Sequence, residues 1–199
     1  MHATLEPALL PAFADPVHDA QACFRGILTA LAEPGTVMRL PDAAPPAPLA
    51  SATGALCLTL ADQDTPIWLC DRARTPAVES WLRFHCGCRL VADPRDAAFG
   101  VILDPAAGLP LARFARGSLE YPDRSATLLV QVRSLSEGPA RTLSGPGIRE
   151  RATLRVAPLP LDFGRQWHAN HSGFPLGVDL VFCSGNAIVG LPRTTAIHA

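Results

Sequence analysis

The sequence predicts a three-layer α/β domain built on a mixed β-sheet. Three observations carry this expectation. Segments with apolar residues at helical spacing alternate with short apolar, β-branched runs through the first half of the chain. Strand-like runs dominate the second half. The densest of them, residues 178–183, is apolar on both faces except at Asp179, so it belongs in the interior of a sheet that is covered on both sides.

At 199 residues the chain is expected to form one compact unit, residues 1–199, burying about 70% of its unfolded surface, with residues 1–14, which include Pro7 and Pro11, as a surface arm. The first helix is predicted after Asp15, a good N-cap, with Pro16 at its first position and Val17, Ala20, Phe24, Ile27, Leu28 and Leu31 on its apolar face. Glu33-Pro34-Gly35 ends it. A short strand, 36–40, precedes a proline-rich loop, and a second helix is predicted over 49–61 through Leu49, Ala52, Leu56 and Leu60. Ile67-Trp68-Leu69-Cys70 reads as a buried strand, and Thr75-Pro76 caps a third helix with Val78, Trp81 and Leu82 inside. Strands follow at 99–103 and 127–132, separated by a short helix at 108–116 and an exposed turn at 117–125. Residues 141–143 and 151–156 alternate as suits a mixed or antiparallel portion of the sheet, and 161–170 is a last helix candidate. Residues 178–183 and 187–191 make a hairpin through Ser184-Gly185-Asn186, after which Pro192 stops the ladder.

The charges nearly cancel, at −1, and are scattered, which argues against nucleic acid or an anionic membrane as the main partner. No apolar run is long enough to span a bilayer, and the first residues lack the pattern of a signal peptide, so a cytoplasmic location is expected. All seventeen basic residues are arginine. A Schiff-base lysine and the lysine of a phosphate-binding P-loop are therefore excluded within this chain. The six cysteines lie mostly in apolar runs and read as small core residues.

Asp62, Asp64 and Thr65 could hold a metal or a sugar hydroxyl, but a solvated turn with local hydrogen bonds is the favoured reading. His85, Cys86 and Cys88 invite zinc, yet the spacing is poor and no metal is expected. Gly145-Pro146-Gly147 resembles part of a phosphate loop, but Pro146 removes a donor, and a turn after a strand is favoured. Arg193, Thr194 and Thr195 could bind a phosphate or phosphonate oxygen, with an ion pair to Asp179 or a contact with another subunit as the alternatives. His168 and His171 flank Asn170, with Ser172 close by, and form no recognisable catalytic set.

Five blocks carry a resemblance in the same order along nearly the whole chain. They are Cys23-Phe24-Arg25 with 31–35, residues 58–69 including Asp62-Gln63-Asp64-Thr65-Pro66-Ile67-Trp68, Leu82-Arg83-Phe84-His85, residues 126–132, and 174–180 with 188–195. They resemble the PhnH family, the H subunit of the bacterial carbon-phosphorus lyase complex. The resemblance implies a fold related to the pyridoxal-phosphate-dependent transferases without the cofactor. It also implies that the chain supports displacement of adenine from ATP by methylphosphonate, together with the G, I and L subunits. The product is α-D-ribose 1-methylphosphonate 5-triphosphate. The nucleosidase-like step belongs to the I subunit and radical cleavage of the C–P bond to J. The chain is then expected to be a structural member of the G, H, I, J core, able to form a homodimer, and the resemblance carries over no catalytic residue.

Overall fold

The computed structural model describes residues 12–198, so the expected arm lies outside the described residues except at 12–14. There the chain is already part of the fold: Phe13 is buried and bridges to Ala43.

Four helices and ten strands follow, in the order α1 (Pro16–Ala32), β1 (Val37–Arg39), α2 (Ser51–Leu60), β2 (Ile67–Leu69), α3 (Pro76–Cys86), β3 (Leu90–Val91), β4 (Phe99–Ile102), β5 (Thr127–Gln131), β6 (Arg141–Ser144), β7 (Ala152–Leu154), α4 (Phe163–His171), β8 (Asp179–Ser184), β9 (Ala187–Leu191) and β10 (Ala196–His198). Seven strands form a mixed sheet in the order β1-β9-β8-β5-β4-β2-β3. Its middle, β8-β5-β4-β2-β3, is parallel, and β9 and β1 close one side antiparallel.

Strand pleating distributes the core. On β5 and β8, Leu129, Val181 and Cys183 face α1, α2 and α3, while Leu128, Val130, Leu180 and Phe182 face the opposite side. That second side is covered by α4 and by a separate antiparallel sheet, β10-β6-β7, which contributes Leu143 and Leu154. The segments 141–143 and 151–156 were expected in the main sheet. With one apolar face each, they pack as a lid over it instead. The helix expected over 108–116 is only a 3₁₀ turn at Leu111–Arg113, because Leu109, Leu111 and Phe114 are all buried at a spacing no α-helix would present to one side.

The hairpin forms as its sequence suggests, with Ser184 paired to Ala187 and Gly185 at φ 58° in the turn. Helix α1 also forms, with Asp15 accepting from the Val17 and His18 amides at 3.2 and 3.1 Å, and of its expected face Ile27 is in the core with Ala20 and Leu31 packed against it, but the helix is turned so that the other three point outward. Cys23, Gly26, Ile27 and Ala30 are buried, whereas Val17, Phe24 and Leu28 are exposed. Close approach decides this. A Cβ at Gly190 of β9 would lie 2.3 Å from the Ala30 carbonyl oxygen, and one at Gly26 would lie 2.7 Å from Leu40. Only the small-residue stripe lets the helix backbone come this near the sheet.

Helix α2 has no capping side chain of its own. Gln131, at the end of β5, supplies the cap from a distance. Its Oε1 accepts from the Ala50 amide at 2.8 Å and the Thr53 hydroxyl at 3.1 Å, and its amide donates to the Pro48 carbonyl at 3.0 Å.

Two glycine substitutions test these contacts in urea unfolding. Gly190→Ala should lower stability by about 1–3 kcal/mol through overpacking against the α1 backbone. Gly164→Ala, in the first turn of α4 with open space around the added methyl, should raise it by up to about 1 kcal/mol.

Candidate functional site

Asp179 opens β8 at the amino-terminal end of the parallel strands, where a buried charge needs a local partner. Arg193, just beyond β9, supplies it. Its backbone amide donates to Asp179 Oδ1 at 2.7 Å, its Nε to the same oxygen at 3.1 Å and its Nη2 to Oδ2 at 2.5 Å. The other guanidinium hydrogens go to the Pro122 carbonyl at 3.0 Å, the Pro175 carbonyl at 3.4 Å and the Ser125 hydroxyl. All five donors thus have an acceptor within the chain. Thr194 is half-buried, and the hydroxyl of the fully buried Thr195 has no partner among the described residues. The ion pair, not an open anion cradle, is what these residues build here.

Helix α4 braces the same corner. Trp167 Nε1 donates to the Thr195 carbonyl at 2.8 Å, and Asn170 exchanges two hydrogen bonds of 2.9 Å with the backbone of Val178. His171 Nδ1 lies 2.8 Å from the Arg193 carbonyl oxygen. His168 meets only Ser172, at 3.5 Å on the surface, so the two histidines serve separate contacts.

The other sequence candidates are held locally. Asp62 accepts from the Asp64 amide at 2.9 Å and the Thr65 hydroxyl at 3.0 Å, an exposed turn. Gly145 and Gly147 have positive φ, and a Cβ at either would collide with the Thr194 or Ala32 carbonyl oxygen, as in a tight turn packed on its neighbours. Cys86 donates to the Cys57 carbonyl at 3.5 Å and Cys88 to the Leu82 carbonyl at 3.8 Å. Among the described residues no three histidine, cysteine, aspartate or glutamate side chains converge on a metal-sized space. Burial pushes the Cys57 thiol well up and that of Cys183 up to about 12.

Sequence reasoning missed a concavity at the sheet. The chain leaves β2 toward α3 on one face of the sheet and leaves β4 toward the 103–126 segment on the other, so a crevice opens between the carboxyl ends of these neighbouring strands. It has a volume of about 680 Å³. Trp68, Leu69 and Ile102 form its floor, and Arg72, Arg74 and Arg113 stand with Asp71 and Asp104 around its rim. Arg72 spans it by an ion pair to Asp104 at 2.9 Å. The contributing loops are far apart in sequence and share no motif. The only hint would have been arginines following two predicted strands.

The family described as bacterial phosphonate metabolism protein (PhnH) matches residues 11–198. The chain belongs to the PhnH family. A relative in Rhizobium meliloti (strain 1021), named alpha-D-ribose 1-methylphosphonate 5-triphosphate synthase subunit PhnH, is 43% identical over 94% of each chain. HtxG of Stutzerimonas stutzeri, named for a C-P lyase subunit, is 35% identical over 89% of this chain and 85% of its own. In this PhnH-family chain, no described helix is long and apolar enough to cross a membrane.

Two outcomes follow. Asp179→Ala strands Arg193 in a site where its side chain is 13% exposed, and should cost about 3–5 kcal/mol in thermal or urea unfolding. Alkylation of the native chain at mildly alkaline pH, read by mass spectrometry, should leave Cys57 and Cys183 unmodified until the protein is denatured.

Proposed function

We propose that this chain is a non-catalytic assembly subunit of a bacterial carbon-phosphorus lyase complex. In that role it supports formation of α-D-ribose 1-methylphosphonate 5-triphosphate from ATP and methylphosphonate in alkylphosphonate breakdown. The observation that carries this reading is the family match along residues 11–198, with a 43% identical relative named as a subunit of that synthase. Its partners in this reading are the G, I and J subunits, with L acting alongside, in the cytoplasm. The whole chain acts as one unit and pairs with a second copy when isolated.

The structure supports an assembly role in two ways. Among the described residues two serine–histidine contacts occur, Ser144–His198 at 2.6 Å and Ser172–His168 at 3.5 Å, both exposed and neither with a carboxylate bonded to the histidine. Apolar side chains are instead presented outward, with Val17, Phe24 and Leu28 along α1 and Phe84, Leu119, Tyr121 and Phe174 elsewhere. An obligate subunit buries upwards of about 2,000 Å² against its neighbours, and such residues supply that area.

A fold related to the pyridoxal-phosphate-dependent transferases is consistent with the mixed sheet, its five parallel strands and the helices α1, α2 and α3 on one face. The cofactor itself does not fit this chain, which has no lysine to carry it as a Schiff base. An anion site at Arg193, Thr194 and Thr195 is the weaker alternative, since a ligand would have to displace Asp179 from a buried pair.

Incubated alone with ATP and methylphosphonate, the chain should release no adenine; turnover would reject the non-catalytic role. The double variant Phe24→Asp, Leu28→Asp should stay folded with a loss of about 1–2 kcal/mol, because both side chains are about half exposed and the two carboxylates lie one helical turn apart. It should nonetheless co-purify poorly with the other subunits, and an unchanged yield of complex would remove α1 from the interface.

A further inference from the structure

The crevice at the carboxyl ends of β2 and β4 is built differently from the rest of the surface. Open α/β sheets bind ligands where neighbouring strands send their connections to opposite faces, because only there do the following loops part and leave backbone and side chains aimed into a common space. Among the described residues that point falls between β2 and β4, and the concavity is lined by residues at and beyond the carboxyl ends of both strands. Its floor is apolar and its rim is basic. The rim holds three arginines against two aspartates, and one aspartate, Asp104, is already spent on Arg72.

The remaining two arginines are unevenly occupied. Arg74 makes a single long hydrogen bond, 3.3 Å, to the Val91 carbonyl. The guanidinium of Arg113 has neither a hydrogen bond nor an ion pair among the described residues, and Arg113 also borders the adjoining hollow where Arg95 is held by Asp93. This is the reverse of Arg193, whose donors are all consumed. Guanidinium groups that stand around a cleft with donors to spare match the oxygens of a phosphate or phosphonate, which accept paired hydrogen bonds from them. Trp68 is half-buried on the floor and held edge-on by Phe114 at 5.4 Å, so it reports on whatever enters.

We propose that this crevice is a binding site for a small molecule bearing a phosphate or phosphonate group, with Arg74 and Arg113 taking the anionic oxygens and Arg72 bridging the mouth through Asp104. The proposal goes beyond the assembly role and stands whether or not the chain docks with other subunits.

Tryptophan emission of the full chain tests it, because Trp81 and Trp167 are fully buried and Trp68 is not. The chain is titrated at constant ionic strength with ATP, with methylphosphonate and with inorganic phosphate. A saturable change with at least one of them is expected, and the tightest of the three tells whether the site prefers a nucleotide polyphosphate, a phosphonate or free phosphate. Arg113→Ala and Arg74→Ala should each weaken that binding about tenfold or more, the loss expected for one charge-assisted contact. Arg25→Ala, which removes the same charge from the exposed side of α1, should leave it unchanged. Absence of saturation with all three probes would overturn the proposal, as would equal weakening by Arg25→Ala, the mark of diffuse charge attraction.

Discussion

A carboxylate at the start of a strand that is buried on both sides has to be neutralised where it stands, and much of this fold is arranged around that need. Asp179 begins β8, the strand between β5 and β9, and Arg193 answers it from the end of β9. The hairpin brings the two together. Once paired, the guanidinium also gathers the carbonyls of Pro122 and Pro175 and the Ser125 hydroxyl, so one side chain fastens two loops to the end of the sheet. Helix α4 completes the corner through Trp167, Asn170 and His171, each spending its polar atoms on backbone groups of the same segments. Such an arrangement is costly to break from one side, because it leaves the other charge uncompensated.

That division of labour gives the two ends of the sheet different characters. The amino-terminal end of the parallel strands is closed, with the Asp179 carboxylate and all five guanidinium donors of Arg193 matched among the described residues. The carboxyl end, at β2 and β4, is open, and arginines there stand around a cleft with capacity left over. The apolar surface of the molecule is a third feature, set by backbone proximity. Because α1 lies on β9 through Ala30 and Gly190 and against Leu40 through Gly26, Val17, Phe24 and Leu28 turn away from the core while Ile27 stays in it. A helix that gives its small residues to its own sheet leaves Phe24 and Leu28 exposed.

How far the residues alone reach can be seen element by element. The capped helices α1 and α3, the buried strands β2, β5 and β8 and the hairpin at Gly185 follow from caps, period and turn chemistry, all of which act between neighbours in sequence. The lack of lysine limited the chemistry, the need of Asp179 for a partner was readable from its place in an apolar run, and the family resemblance rested on blocks spread over the whole length. The two-residue strand β3 and the short β10 carry too few residues to show a period.

Tertiary structure decided what depends on distance through space. It chose which face of α1 is buried, because contact between two backbones selects for small residues whatever the apolar pattern says. It set β6 and β7 in a sheet of their own, gave α2 a cap from Gln131, and brought the loops after β2 and β4 together around one crevice. Local rules decide local conformation, but the meeting of residues dozens of positions apart is fixed by sheet order, which no short stretch of this sequence encodes.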